Sequence, residues 1–320
     1  MQPGGVQRRS KQRSMTDTGA SHLEPSPASF VEYEQIILFG DSITQGSCSQ
    51  QEGFAFMPAL QHGGLDPCRS YHVHLSLLSY LGFGSAVHMG TIRLDYARKF
   101  DVINRGFNGY TSQQGLEILP GFFPSPQRAK TIFFGANDAV LPPFQQHVPL
   151  PLYKISLSQI LTHPLIQNHH PETRLLLLTP PPINEYQLES AAAAETQSAP
   201  APAPAPAPAP VIRKAETTKQ YAEACRDVGR ELGVPVADIW GAFMKEAGWE
   251  EGEPLAGSKR APANVRLGEL LSDGLHFSPE GYRVMYREVM RVIRARYPEL
   301  APERVPMRFP GWEKAPKGAL

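Results

Sequence analysis

The sequence predicts an α/β fold, a doubly wound three-layer sandwich with a central, mainly five-stranded parallel sheet. Three observations predict it. Short apolar runs are continuous instead of alternating, as strands buried on both faces are. Helix-period stripes lie between them. The two kinds of segment follow one another along the chain, the order that builds a parallel sheet with helices on both sides.

Five runs read as strands: Ile36 to Phe39, Val102-Ile103, Ile132 to Phe134, Leu175 to Leu178, and the shorter Val234-Pro235-Val236. Tyr221, Cys225, Val228 and Leu232 fall on one helical stripe that stops at Gly233. Met285, Val289, Val292 and Ile293 form a second stripe on a closing helix, with arginines opposite. The fold is expected to occupy residues 34–300. A polar leader, 1–33, precedes it and a proline-rich tail, 301–320, follows as a strap over the surface. Ala199 to Pro210 alternates alanine and proline without a break, so a linker at about 190–212 is expected to be extended and without a core.

Composition narrows the function classes. Lysine plus arginine equals aspartate plus glutamate at 31 each, so no global field draws the 320-residue chain to nucleic acid or an anionic surface. No apolar run approaches the roughly 20 residues of a spanning helix. Cys48, Cys68 and Cys225 are too few and too scattered for a disulfide framework or a metal site. His72-Val73-His74 lacks a third ligand at a sensible spacing, so neither metal nor cofactor is expected. A small, uncharged ligand is the expected partner; self-association stays open. The basic leader has no secretory core, which points to the cytoplasm and leaves mitochondrial import open.

Four segments carry chemistry. Gly40-Asp41-Ser42 follows the first strand, where ligands of open α/β sheets bind. Gly40 would allow a sharp turn and Ser42 would open a helix, its hydroxyl exposed and its N–H facing the same spot. Alone, this reads better as a serine capping a helix. Asn104 to Tyr110 follows the second strand, with Gly109 able to bring a backbone N–H close to a ligand. Gly135-Ala136-Asn137-Asp138 follows the third and offers the amide of Asn137, or only closes a turn. Asp273-Gly274-Leu275-His276 precedes the closing helix. A carboxylate three residues from an imidazole can reach its Nδ1 and leave Nε2 to take a proton from serine.

Together, and in this order, the four segments resemble the blocks of the SGNH/GDSL hydrolases. The chain is most similar to the isoamyl acetate-hydrolysing esterases of that superfamily through Asn104 to Tyr110, Thr179-Pro180-Pro181-Pro182 and Leu271 to His276. The resemblance spans roughly Gln35 to Pro298 and implies the SGNH fold and a serine esterase acting on small, acetate-type esters through an acyl-enzyme. It implies Ser42 as nucleophile, His276 as base then acid, and Asp273 as its orienting carboxylate. The N–H groups of Ser42 and Gly109 and the amide of Asn137 would form the oxyanion hole, while Asp41 braces the turn. Carbohydrate deacetylation, lipid or thioester hydrolysis by the same triad, and a catalytically silent binding protein are the alternatives. Activity is expected to rise as His276 deprotonates, near the ordinary value of about 6.5.

One segment departs from the family pattern. His62 to Gly90 holds four of the ten histidines and splits a helix that would begin near Gly53 and end at Arg93 to Phe100. It reads as an insertion: a retained intron or, if translated, a lid near Ser42 or a loop harmless to the sheet.

Overall fold

The first apolar run becomes β1 (Gln35–Gly40), which enters α1 (Ser42–Gly46) after a single residue. The computed structural model describes residues 33–47, 92–122, 127–169, 171–197, 211–309 and 312–314, all within the compact unit Tyr33–Leu320. Nearly all of the leader, the segment at 62–90 with its two neighbouring histidines, the start of the split helix, and the alanine-proline run lie outside the described residues. After α2 (Ile92–Asp95) come β2 (Asp101–Gly106), α3 (Ser112–Ile118), β3 (Gln127–Phe133), α4 (Leu150–Leu161), α5 (Pro164–His169) and β4 (Arg174–Leu178). Then follow α6 (Glu185–Gln197), α7 (Ala215–Leu232), β5 (Val236–Ala237), α8 (Ile239–Glu246), α9 (Val265–Leu270) and α10 (Pro279–Arg296).

The strands form one parallel sheet in the order β2-β1-β3-β4-β5, so the predicted fold class stands. Side chains alternate across it, and both sets are buried. From β1, Ile37 and Phe39 join Ile132, Leu177 and the inner faces of α4 and α7. Ile36 goes the other way, to Phe133, Leu176, Leu178 and the inner faces of α8, α9 and α10. That double burial is why the strands read as continuous apolar runs. The order reverses between β1 and β3, and a ligand crevice is expected at such a switch point.

Several expectations need adjustment. The third strand starts at Gln127, not near Ile132, because its polar first half hides it from a hydropathy reading. Lys130, fully buried in that half, places its ammonium 4.9 Å from the Phe39 ring centre and 5.3 Å from that of Phe122. Leu232 lies on the exposed side of α7, while Gly233, with φ +66°, closes that helix as expected. The linker placed at about 190–212 starts too early: residues 190–197 continue α6, whose run of alanines favours helix. Arg213, just after it, is buried in the body of the fold. Among the described residues, no helix is long and apolar enough to cross a membrane.

Candidate active site

Ser42 is the first residue of α1, at the carboxyl end of the strand beside the switch point. Asp41 caps that helix, its carboxylate accepting the Ile43 N–H at 3.0 Å. Gly40 serves for close packing more than for a turn. A Cβ there would lie 2.1 Å from Thr44 Oγ1 and 2.5 Å from the Phe133 carbonyl oxygen, so any side chain would push α1 off the sheet. From the other side, the Tyr282 hydroxyl of α10 donates to the Ile43 carbonyl at 2.9 Å and ties the closing helix to the Ser42 turn.

The β2 loop is drawn against the same turn. The Phe107 N–H donates to the Gly40 carbonyl at 2.8 Å, the Asn108 N–H to Gln45 Oε1 at 2.8 Å, and the Asn104 amide to the Thr44 carbonyl at 2.6 Å. Gly109 then takes φ +77°, a backbone region costly for any residue with a Cβ. Its carbonyl accepts from Gln146 Nε2 at 2.7 Å. At the end of β3, the Asn137 side chain is buried and donates through Nδ2 to the Tyr110 carbonyl at 2.9 Å. The loops carrying Ser42, Gly109 and Asn137 are thus hydrogen-bonded to one another.

Asp273 and His276 occupy a tight turn closed by the Leu271–Phe277 bridge and by the Ser272 N–H donating to the His276 carbonyl at 2.8 Å. The Asn184 N–H, just past the Thr179 to Pro182 segment, holds the Gly274 carbonyl at 2.9 Å. One Asp273 oxygen accepts the backbone N–H groups of Leu275 and His276 at 2.9 and 2.8 Å. The other lies 2.7 Å from His276 Nδ1, and His276 Nε2 lies 3.0 Å from Ser42 Oγ. Burial raises the Asp273 pKa, but the hydrogen bonds from His276 and Leu275 outweigh it and bring it down to about 2. The carboxylate therefore stays charged and keeps the ring proton on Nδ1.

Beneath the serine lies a charged group with no local signature in the sequence. Asp41, Asp138 and Arg213 are all buried. Loss of solvation raises Asp41 to about 7 and Asp138 to about 6, and lowers Arg213 to about 10. Asp138 accepts both the N–H and the hydroxyl of Ser112, at the start of α3. Arg213 donates to the Ala136 carbonyl, and at 3.2 Å to Asn137 Oδ1. A lone arginine after an alanine-proline run has no local signature; only the folded chain brings it here. Among the described residues, no three His, Cys, Asp or Glu side chains are placed to hold a metal ion.

A parallel sheet with a serine, a histidine and an aspartate linked in series at its carboxyl end is the frame of a hydrolytic enzyme with a serine triad. This chain belongs to the GDSL-like lipase/acylhydrolase family, whose model matches residues 38–284, and it is a carboxylic ester hydrolase. It is 34% identical over 236 residues to a GDSL esterase/lipase of Arabidopsis thaliana, covering 72% of this chain and 84% of that protein. It is 28% identical to the isoamyl acetate-hydrolyzing esterase of Saccharomyces cerevisiae, over 88% of this chain and 95% of the yeast protein. Likeness to the rat isoamyl acetate-hydrolyzing esterase 1 homolog is similar, 29% identity over 88% of each chain.

Proposed function

We propose that Ser42 attacks the carbonyl carbon of a small, acetate-type ester and carries the acyl group until water removes it. The observation behind this reading is the run of short contacts from Asp273 through His276 to Ser42. A serine hydroxyl is a weak nucleophile at neutral pH and needs a base in contact with it. His276 Nε2 takes the hydroxyl proton as Ser42 Oγ bonds to carbon, then returns it to the departing alcohol oxygen. Asp273 holds the ring and offsets its positive charge. In the second half, His276 takes a proton from water as its oxygen bonds to the acyl carbon, then gives that proton to Ser42 Oγ as the acyl–oxygen bond breaks and the acid departs.

The negative oxygen formed in both halves requires donors aimed where that charge develops. Ser42 offers the N–H of a first-turn helical residue, which has no partner within its own helix. Gly109 offers its N–H and Asn137 its second Nδ2 hydrogen. Acetate as the acyl group is supported by the two relatives named for isoamyl acetate hydrolysis.

The alternative reading is deacetylation of a carbohydrate by the same triad. Hydrolysis of isoamyl acetate, a short p-nitrophenyl acyl series and an acetylated sugar, by the wild type and Ser42→Ala, tests both. Acetates are expected to be cleaved fastest, with turnover lost in the variant by about 10⁶. Folded wild-type protein no faster than the variant would end the proposal. Preference for the sugar over isoamyl acetate would move it to the second reading.

A further inference from the structure

We infer that Arg213 is a positioning residue of the oxyanion hole, fixing which end of the Asn137 amide faces the reacting oxygen. The inference rests on the site assignment above, in which Asn137 donates to the oxyanion.

A carboxamide is nearly symmetric in shape and opposite in chemistry at its two ends. Turned by 180°, Asn137 would present a carbonyl oxygen to a developing negative charge and repel it. Its environment removes that freedom. Tyr110 supplies a carbonyl, which can only accept, 2.9 Å from Nδ2. Arg213 supplies a guanidinium, which can only donate, 3.2 Å from Oδ1. Flipping the amide would set oxygen against oxygen at one end and donor against donor at the other. Either partner alone leaves one end unopposed; the pair fixes both. One Nδ2 hydrogen is used on Tyr110, and the other remains for the substrate. A cation on Oδ1 also polarises the amide, making its N–H groups stronger donors.

Arg213 is itself held from three sides. It donates to the Ala136 carbonyl, one residue before Asn137. Leu141 N–H donates to the Ile212 carbonyl at 2.9 Å, and Ala215 N–H to Glu185 Oε1 at 2.9 Å, fixing the chain on either side of it. Buried beside Asp41 and Asp138, it also balances negative charge under the serine. The position therefore calls for a planar fork and not merely a positive charge.

The test is a double-mutant cycle on kcat for p-nitrophenyl acetate, with thermal melting of every variant. Asn137→Ala is expected to lower kcat by about 10²–10³. Arg213→Met should lower it by about tenfold to a hundredfold with KM within about twofold, less than loss of the donor itself. In the Asn137→Ala background, the same Arg213 substitution should cost less than about twofold, because there is no amide left to orient. Arg213→Lys keeps the charge beside the two aspartates and loses the fork. It serves the same cycle should Arg213→Met fail to fold, and should recover less than half of the lost rate. Equal losses in both backgrounds would overturn the inference and leave the site assignment standing. An Asn137→Ala variant with wild-type kcat would overturn both.

Discussion

The two halves of the site are built in opposite ways. The turn holding Asp273 and His276 is half-exposed and almost wholly local: its aspartate is bound by the ring and backbone of residues two and three positions on. The proposed oxyanion side is assembled at long range around the buried Asn137, with Arg213 meeting Asn137 across 76 residues of sequence and Ser112 meeting Asp138 across 26. Proton transfer requires a base that can reach both solvent and serine. Stabilising a transient charge requires fixed dipoles away from water, where they act most strongly. The difference in burial follows from the difference in task.

Breaking the local half should have the larger effect on rate. In Asp273→Asn, an amide carbonyl can still accept the Leu275 and His276 N–H groups, but its NH2 faces His276 Nδ1. That ring nitrogen must then accept, which moves the proton to Nε2 and removes the base. A loss of about 10⁴ in kcat is expected, with the melting temperature little changed. A variant that retained a tenth of wild-type turnover would show that Asp273 does not set the tautomer.

The same contrast explains what was legible beforehand. The strand runs could be read because the central strands are covered on both faces, which leaves most of their residues apolar. Ser42, Asp273 and His276 could be read because each lies in a short segment of recognisable spacing. The first half of β3 could not, since Lys130 is buried there against aromatic rings and breaks the hydropathy pattern. Arg213 could not either. Its partners come from the loop after β3 and its neighbours from that loop and from α6, and no window around residue 213 contains any of them.

The buried half should answer to stability before rate. Ser112 gives Asp138 two donors, and only the hydroxyl is lost in Ser112→Ala. Removing one hydrogen bond from a buried, partly charged carboxyl should cost about 1–3 kcal/mol. The cost should be greater at pH 8 than at pH 5, because Asp138, raised to about 6, is charged at the first and mostly protonated at the second. Denaturant melts at the two pH values check this. An equal cost at both would mean that the hydroxyl supports the neutral and charged forms alike.

The smallest effect, and the sharpest on the pairing of charges under the serine, comes from Asp41. Its folded pKa of about 7 lies above its ordinary value of 3.8, so the folded chain holds a proton there that the unfolded chain releases. The stability this gives is complete below pH 3.8 and is lost as pH rises toward 7. Asp138 contributes a loss of the same sign, but its part is largely over by about 6. Between pH 6 and 7 Asp41 therefore still lowers stability as pH rises, with Asp138, Arg213 and His276 as the charged groups around it, while buried Lys130, lowered to about 7, acts in the opposite sense. Asp41→Asn keeps an oxygen to cap Ile43 and removes only the Asp41 titration, so across that interval the wild type should lose melting temperature relative to the variant. If the variant falls as steeply as the wild type, Asp41 is already ionised in the fold, held by Arg213 more strongly than burial disfavours it.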